Sequence, residues 1–381
     1  MIGKLQSQAT GDVTRNRSEA EVKQYRVGVL GATGTVGQQI VHRLERHPWF
    51  RVTAVAASDQ SAGKTYAEAA RWRVAAAIPA EIRDLVVRQP KPDLPCDFVL
   101  SALDAGVAGE IELAFAQAGY AVLSNTRNHR MEEDVPLLVP EVNPGHVELV
   151  RAQQRNRGYD TGFIATNPNC STAGLVLPLK AIHDAFGVDA VSVVTLQAIS
   201  GAGYPGVASL DIADNVIPFI SGEEEKMESE PRKILGTLAG GRIEFAPMKI
   251  SAQCTRVPVI DGHMEAVSVK LRRPATPAAV SEALRSFTAE PQRLGLPSAP
   301  ARPIEVREEK NRPQTRLDRD AGNGMAVVVG RVRACPILDI RFVLLSHNLV
   351  RGAAGAAILN AELFAAKGLL ASRTTQATTA M

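Results

Sequence analysis

The run Tyr25-Arg26-Val27-Gly28-Val29-Leu30 passes directly into Gly31-Ala32-Thr33-Gly34-Thr35-Val36-Gly37 and then into an amphipathic stretch ending near Glu45. A short apolar segment, glycines spaced G-x-x-G-x-x-G and then helical periodicity predict a strand, a tight turn and a helix. Small residues at such a turn let the backbone approach a pyrophosphate, and the helix N-terminus supplies N–H donors for it. The competing reading is a turn that serves only the chain's path. Further strands are expected at Val52 to Ala57, Phe98 to Ala102 and Ala121 to Ser124, with a helix from Val107 to Ala118. This alternation predicts a doubly wound parallel sheet of the α/β class, a dinucleotide-binding domain over residues 25–166.

A strand-like segment from Phe163 to Ala165 leads into Asn167-Pro168-Asn169-Cys170-Ser171-Thr172 and a helical stretch from Ala173 to Leu179. That sets Cys170 at a strand-to-helix corner, where unpaired backbone N–H groups favour a thiolate over a thiol. A buried cysteine acting as a small hydrophobe is the alternative. Beyond this helix the texture changes. Strands at Val191 to Ile199, Met264 to Leu271, Ala326 to Val332 and Ile340 to Leu345, separated by Gly/Pro-rich loops, predict an α+β domain with a largely antiparallel sheet over residues 167–347. Residues 273–300 read as helix and loop, and Arg302 to Arg319 as a mostly solvated charged surface. Helical spacing resumes over 348–369, expected to pack back on the first domain, with flexible ends at 1–24 and 370–381.

A formal net charge of +3 gives no bulk electrostatic reason for a nucleic-acid or membrane partner, so any anion site must be local. Four scattered cysteines (Cys96, Cys170, Cys254, Cys335), without His neighbours at ligand spacing, indicate neither a metal site nor a disulfide framework and suit a reducing cytoplasm. The first 24 residues have no apolar leader pattern, and no apolar run has the length of a membrane span.

Other chemistry-bearing groups lie at element edges. His263, in Asp261-Gly262-His263-Met264-Glu265, lies in a turn that feeds a strand and titrates near neutrality when unperturbed. Glu223 and Lys226 share a helix face, and Arg256 precedes His263 across a strand and turn; a carboxylate, a lysine and an arginine suit ammonium, phosphate and carboxylate groups. A solvated helix start is the other reading of Glu223-Glu224-Glu225-Lys226. The loop Ser200-Gly201-Ala202-Gly203-Tyr204-Pro205-Gly206 permits close ligand approach or serves only to turn the chain. In Ser58-Asp59-Gln60-Ser61-Ala62-Gly63-Lys64, the residues Ser58, Ser61 and Lys64 suit the 2′-phosphate of NADP, whereas Asp59 suits the free ribose of NAD.

Taken in order, the Gly31 loop, His47-Pro48-Trp49-Phe50, the Asn167–Thr172 run, Gln197-Ala198-Ile199-Ser200-Gly201-Ala202-Gly203-Tyr204, Glu223-Glu224-Glu225-Lys226-Met227, Asp261-Gly262-His263 and Arg351-Gly352-Ala353-Ala354-Gly355 resemble the aspartate-semialdehyde dehydrogenase family, archaeal and fungal branch. The likeness spans Tyr25 to Lys367. It implies a Rossmann-like domain followed by a catalytic and oligomerisation domain. It also implies NADP-linked, phosphate-dependent, reversible oxidation of L-aspartate 4-semialdehyde to L-4-aspartyl phosphate, on the route to lysine, methionine and threonine. Cys170 would be the nucleophile and His263 the acid/base, with Asn169 and Gln197 beside them. Arg256 and Glu223 would hold the substrate's carboxylate and amine, Lys226 and Arg130 would hold phosphate, and Asn128 would belong to the substrate-binding set. Gly31, Thr33, Gly34, Thr35, Val36, Gly37, Ser58, Ser61, Lys64, Ser200, Gly201 and Asn348 would hold the cofactor, and no metal is implied. Homodimer or homotetramer assembly goes with the family. Two positions depart from its pattern: Gln60 stands where relatives commonly have arginine, which admits NAD, and Thr255 where they commonly have asparagine. The alternatives are a malonyl-CoA-type thioester reductase and a non-catalytic nucleotide-binding paralogue.

Overall fold

A computed structural model of the chain describes residues 24–373. The expected strand, turn and helix are β1 (Tyr25–Leu30), the glycine turn and a helix at Thr35–Arg43. With β2 (Phe50–Ala56), β3 (Phe98–Ser101), β4 (Ala121–Ser124) and β5 (Phe163–Thr166) they form a five-stranded sheet in the order β2-β1-β3-β4-β5. Every pairing is parallel. The order reverses at β1, so the carboxyl ends of β1 and β3 flank the crevice where doubly wound sheets take ligands. Such sheets are covered on both faces, and β3, β4 and β5 are accordingly buried along their whole length.

The second sheet has six strands in the order β11-β12-β13-β10-β6-β9. They are β6 (Val188–Gln197), β9 (Lys249–Arg256), β10 (His263–Leu271), β11 (Ile304–Arg307), β12 (Val327–Ala334) and β13 (Ile340–Ser346). A small hairpin, β7 (Thr237–Ala239) with β8 (Arg242–Glu244), stands apart. The inner pairs β6–β10, β10–β13 and β13–β12 are antiparallel, as expected, while both edge pairs, β6–β9 and β11–β12, are parallel. Parallel neighbours need a crossover. Between β6 and β9 that crossover carries the helix Glu223–Ile234, which brings acidic residues over the sheet.

The helix Cys170–Phe186 begins at the cysteine itself and runs longer than expected. It leaves the first sheet at β5 and buries Leu175, Val176, Leu179 and Ile182 among residues of the second sheet, including Val193, Val267 and Leu344. At the far end of the chain the expected single helix is a π turn, Val350–Ala354, followed by an α-helix, Gly355–Ala366. The latter's Ile358, Leu359, Leu363 and Phe364 pack with Val27, Phe98 and Phe163 of the first sheet. The tail expected to be flexible from residue 370 is anchored as far as Arg373, which donates through its N–H to Asp97 (2.8 Å) and stacks on Tyr120. Residues 374–381 and 1–23 lie outside the described residues, and Gln24 donates to the His47 carbonyl at 3.3 Å. Within the charged segment, Asp318 is fully buried and receives Arg307 and Arg312. No helix among the described residues is long and apolar enough to cross a membrane.

Candidate active site

Strand ends and one helix start meet at a single edge. In the second sheet Gln197, last of β6, is registered against Arg256, last of β9, and His263 is the first residue of the antiparallel β10. Running β10 antiparallel to β6 brings its beginning to the end of β6. Over this edge lies the N-terminus of the Cys170 helix. Asn169 caps it, its Oδ1 accepting from the N–H groups of Ser171 (3.0 Å) and Thr172 (3.4 Å).

Cys170 Sγ lies 3.2 Å from His263 Nε2. His263 is fully buried, and its Nδ1 accepts the N–H of Ala198 at 3.0 Å. Burial, followed by the nearby Arg256 charge, pushes the imidazole down to about 3, which keeps it neutral. The thiol moves opposite to the sequence expectation. Burial and the Glu223 charge push Cys170 up to about 12, against the opposing pull of Arg130, Arg256 and Lys226. A helix N-terminus contributes only about 0.3–1 kcal/mol, less than the roughly 1.4 kcal/mol of one pKa unit, so burial wins.

Glu223 is the polar centre of the cluster. Its Oε1 accepts Lys226 Nζ (2.7 Å) and its Oε2 accepts Asn169 Nδ2 (2.8 Å) and Gln197 Nε2 (3.1 Å). Burial works against its charge, but Lys226 and these hydrogen bonds outweigh it and hold the carboxyl below its usual range. Arg256 is buried and donates through Nη1 to the Ala198 carbonyl at 2.7 Å. The neighbouring Thr255 donates to the Thr195 carbonyl at 2.5 Å, so the orientation of Arg256 is set by Ala198.

Arg130 reaches the cluster through a residue that sequence reasoning missed. Glu230, on the Glu223 helix, accepts Arg130 Nη1 (2.9 Å) with one oxygen and the Asn169 N–H (2.7 Å) with the other. Within an E-E-E-K-M-E-S-E run it resembles the other glutamates; its spacing of seven from Glu223, two helical turns, was the available signal. Asn128 is not brought into this group: it is exposed and donates to the Ala105 carbonyl. On the other side of Cys170 the π turn closes in. A Cβ on Gly352 would lie 2.6 Å from Cys170 Cβ. Arg351 is held there by a fully buried pair with Glu141 and by the Met325 carbonyl.

The nucleotide loop divides its glycines by task. Gly31 has φ +72°, and a Cβ there would lie 2.3 Å from the Ala102 carbonyl oxygen. Gly37 is as tightly pressed against Gly31 O, whereas Gly34 is exposed and its Cβ position meets only Gly31 O, at 3.4 Å. Two glycines therefore build the turn and one leaves its outer side open, which fits a pyrophosphate. Thr33 is locked through its carbonyl by buried Gln38, which also grips Arg71 and Arg73, another link unseen in sequence. Thr35 and Ser200 line one cavity of about 300 Å³ between the two parts of the chain. Asn348 donates to Ser200 Oγ (2.8 Å) and accepts the Gly262 N–H (2.8 Å), and Gly201 lies against His263 and Arg256. Ser58 and Lys64 are exposed and Ser61 half-buried in the turn after β2, and Val36 is half-buried on the glycine-loop helix. Asp59 accepts Gln89 Nε2 at 2.9 Å.

A glycine-loop sheet joined to a mixed sheet that presents a cysteine against a histidine defines a nucleotide-linked dehydrogenase with two structural parts. Residues 26–150 match the semialdehyde dehydrogenase NAD binding domain, and residues 179–351 the semialdehyde dehydrogenase dimerisation domain. The chain is 53% identical over 341 residues to aspartate-semialdehyde dehydrogenase of Archaeoglobus fulgidus, covering 89% of this chain and 97% of that one. It is 52% identical over 355 residues to the protein so named from Schizosaccharomyces pombe, covering 91% and 99%. The crystal structure of aspartate semialdehyde dehydrogenase with NADP from Candida albicans superposes with a TM-score of 0.84 at 47% identity, covering 91% of this chain and all of that one. The chain belongs to the aspartate-semialdehyde dehydrogenase family.

Proposed function

We propose that this protein catalyses the reversible, phosphate-dependent oxidation of L-aspartate 4-semialdehyde to L-4-aspartyl phosphate with NADP, through a thioester on Cys170. The observation that carries this reading is the 3.2 Å approach of Cys170 to His263 inside a ring of Glu223, Arg256, Lys226 and Arg130, in a chain half-identical to enzymes of that name. Bound NADP would accept or supply the hydride. The glycine loop and the Ser200 loop would hold its diphosphate and nicotinamide ends. Ser58, Ser61 and Lys64 would meet the 2′-phosphate, a choice supported by the engagement of Asp59 with Gln89.

Cys170 adds to the substrate carbonyl, and because Asn169 takes the Ser171 and Thr172 N–H groups, the helix-start donor available to the oxyanion that forms there is the N–H of Cys170 itself. Arg256 pairs with the substrate carboxylate and Glu223 with its ammonium group, while Lys226 and Arg130 hold the phosphate that exchanges with the thiol at the acyl carbon. Glu223 separates this reading from a CoA-thioester reductase, because a substrate without an amine has no use for a buried carboxylate. Residues 25–166 act as the cofactor domain and 167–347 as the catalytic and assembly domain. The protein works as a homodimer or homotetramer in the cytoplasm.

The test is NADPH formation from aspartate semialdehyde with and without phosphate, in wild type and Cys170→Ser. Phosphate-dependent turnover lost in the variant is expected. Wild type that lacks it but reduces malonyl-CoA would overturn the assignment.

A further inference from the structure

Four charged residues of the crossover helix Glu223–Ile234 share one face, because Glu223, Lys226, Glu230 and Lys233 follow one another at helical spacing. The active-site cluster uses the first three. Lys233, in the last turn, is 1% exposed, and its Nζ donates to the carbonyls of Arg130 (2.7 Å), Glu132 (2.7 Å) and Val135 (2.8 Å). An ammonium has one N–H for each of these acceptors. We propose that Lys233 is a positioning residue for phosphate: its ammonium moulds the loop after β4 onto the crossover helix, so that Arg130 on the loop and Lys226 on the helix hold the anion together. The inference rests on the functional reading above, which gives phosphate to those two cations.

The loop's own backbone bonds are weak. The N–H groups of Arg130, Glu132 and Val135 reach the carbonyls of Arg127, His129 and Glu132 at 3.4, 3.3 and 3.3 Å, longer than each of the three bonds from Lys233 and beyond the usual range. Side chains secure its outer part: His129 Nδ1 lies 2.7 Å from Glu132, and Arg157 holds Glu132 and Asp134. Those ties leave Arg130 to the helix, which grips it at both ends. Its guanidinium donates to Glu230 at 2.9 Å, and its carbonyl accepts Lys233 one turn further along. A slip of the loop against the helix therefore moves the whole of Arg130.

A lysine in the last turn of a helix can serve the helix dipole alone. That role needs no burial, and half-buried Arg232 in the same turn is placed for it. Lys233 has instead been taken out of water against its charge. Burial pushes its ammonium down to about 8, opposed by Glu132, Asp134 and Glu230, so it stays charged at neutral pH. A buried charge is tolerated when its donors are all satisfied, and here carbonyls of the Arg130 loop satisfy them. The lysine thus acts through Arg130 and does not itself touch the phosphate.

Lys233→Gln and Lys233→Arg in the full-length chain test this. Glutamine is shorter and neutral, and brings two N–H groups to three carbonyls; the phosphate KM should rise about tenfold, the low end for losing a hydrogen bond to a charged group. The semialdehyde KM and kcat should stay within about twofold, since only binding of phosphate is weakened. If Lys233→Gln does not fold, Lys233→Arg carries the test. It keeps the charge, but a planar fork cannot meet three carbonyls that converge on one point, so the phosphate KM should still rise about threefold with the semialdehyde KM unchanged. An unchanged phosphate KM in a folded variant overturns the proposal, because Lys233 then only stabilises the fold. Equal rises in both KM values overturn it too, because the whole site has then loosened. Amide hydrogen exchange gives a readout without substrate: residues 126–136 should exchange about tenfold faster in the folded variant, and unchanged exchange there also overturns the proposal. Absence of phosphate-dependent turnover in wild type would sink the functional reading, while exchange would still report the tie between lysine and loop.

Discussion

Replacing Glu230 by alanine should unsettle the fold and the site together. The carboxylate is 2% exposed, with one oxygen on Arg130 Nη1 at 2.9 Å and the other on the Asn169 N–H at 2.7 Å. Arg130 is itself buried, and without Glu230 it retains only its bond to the Asn125 carbonyl at 2.8 Å. Breaking a buried ion pair from one side costs about 3–5 kcal/mol, and stranding a buried N–H costs roughly 1–3 kcal/mol. Both losses come from one carboxylate and do not simply add, so a total of about 3–5 kcal/mol is expected. Glu230→Gln keeps an acceptor for the Asn169 N–H and gives up the charge; it should cost about 1–3 kcal/mol. Glu225, exposed on the same helix, supplies a control that should stay within about 0.5 kcal/mol as alanine. The measurement is a urea denaturation series at fixed protein concentration, with Cys170 alkylation and the phosphate KM alongside. Alkylation should slow, because the peptide preceding Cys170 loses its anchor, and the phosphate KM should rise as Arg130 moves. A Glu230→Ala protein within about 0.5 kcal/mol of wild type would show that this carboxylate does not hold the site together.

Two more outcomes are expected. Gly352→Ala would place a methyl 2.6 Å from Cys170 Cβ and 2.9 Å from its Cα, so the helix start must move; turnover should drop by roughly 10²-fold or more at a stability cost of about 1–3 kcal/mol, and unchanged activity would show that the contact is loose. Glu265 is fully buried and both of its oxygens lack a hydrogen-bond partner, so burial raises its pKa well above 4.5 in the folded chain. The unfolded chain ionises it near 4.5 while the fold keeps it protonated, so its stability contribution is whole below that pH and falls as pH rises toward the folded value, by about 1.4 kcal/mol per unit. Glu265→Gln is free of this loss, and its stability relative to wild type should be greater at pH 7 than at pH 5 in chemical denaturation; equal differences at the two pH values would mean the carboxyl is charged or hydrated.

What the sequence determined by itself was local. The glycine turn was legible because an apolar strand, the G-x-x-G-x-x-G spacing and a helical period lie within some twenty residues. Cys170 at a helix start was legible because an apolar strand-like segment ends at Ala165 and a helical stretch begins at Ala173, close on either side of it. The inner antiparallel strands followed from apolar runs broken by Gly and Pro, but the parallel edges β9 and β11 did not, since parallel pairing is set by a crossover and leaves no mark within the strand. Tertiary structure alone decided the meeting of Cys170 with His263, because register across β6, β9 and β10 determines which residue ends share an edge. It alone revealed Glu230, whose neighbours in the acidic run look the same, and Ala198, which acts through a peptide group that every residue carries. It also reversed the expected ionisation of the thiol. The helix start is written in the chain, but the burial that outweighs it exists only once the two sheets have closed around the site.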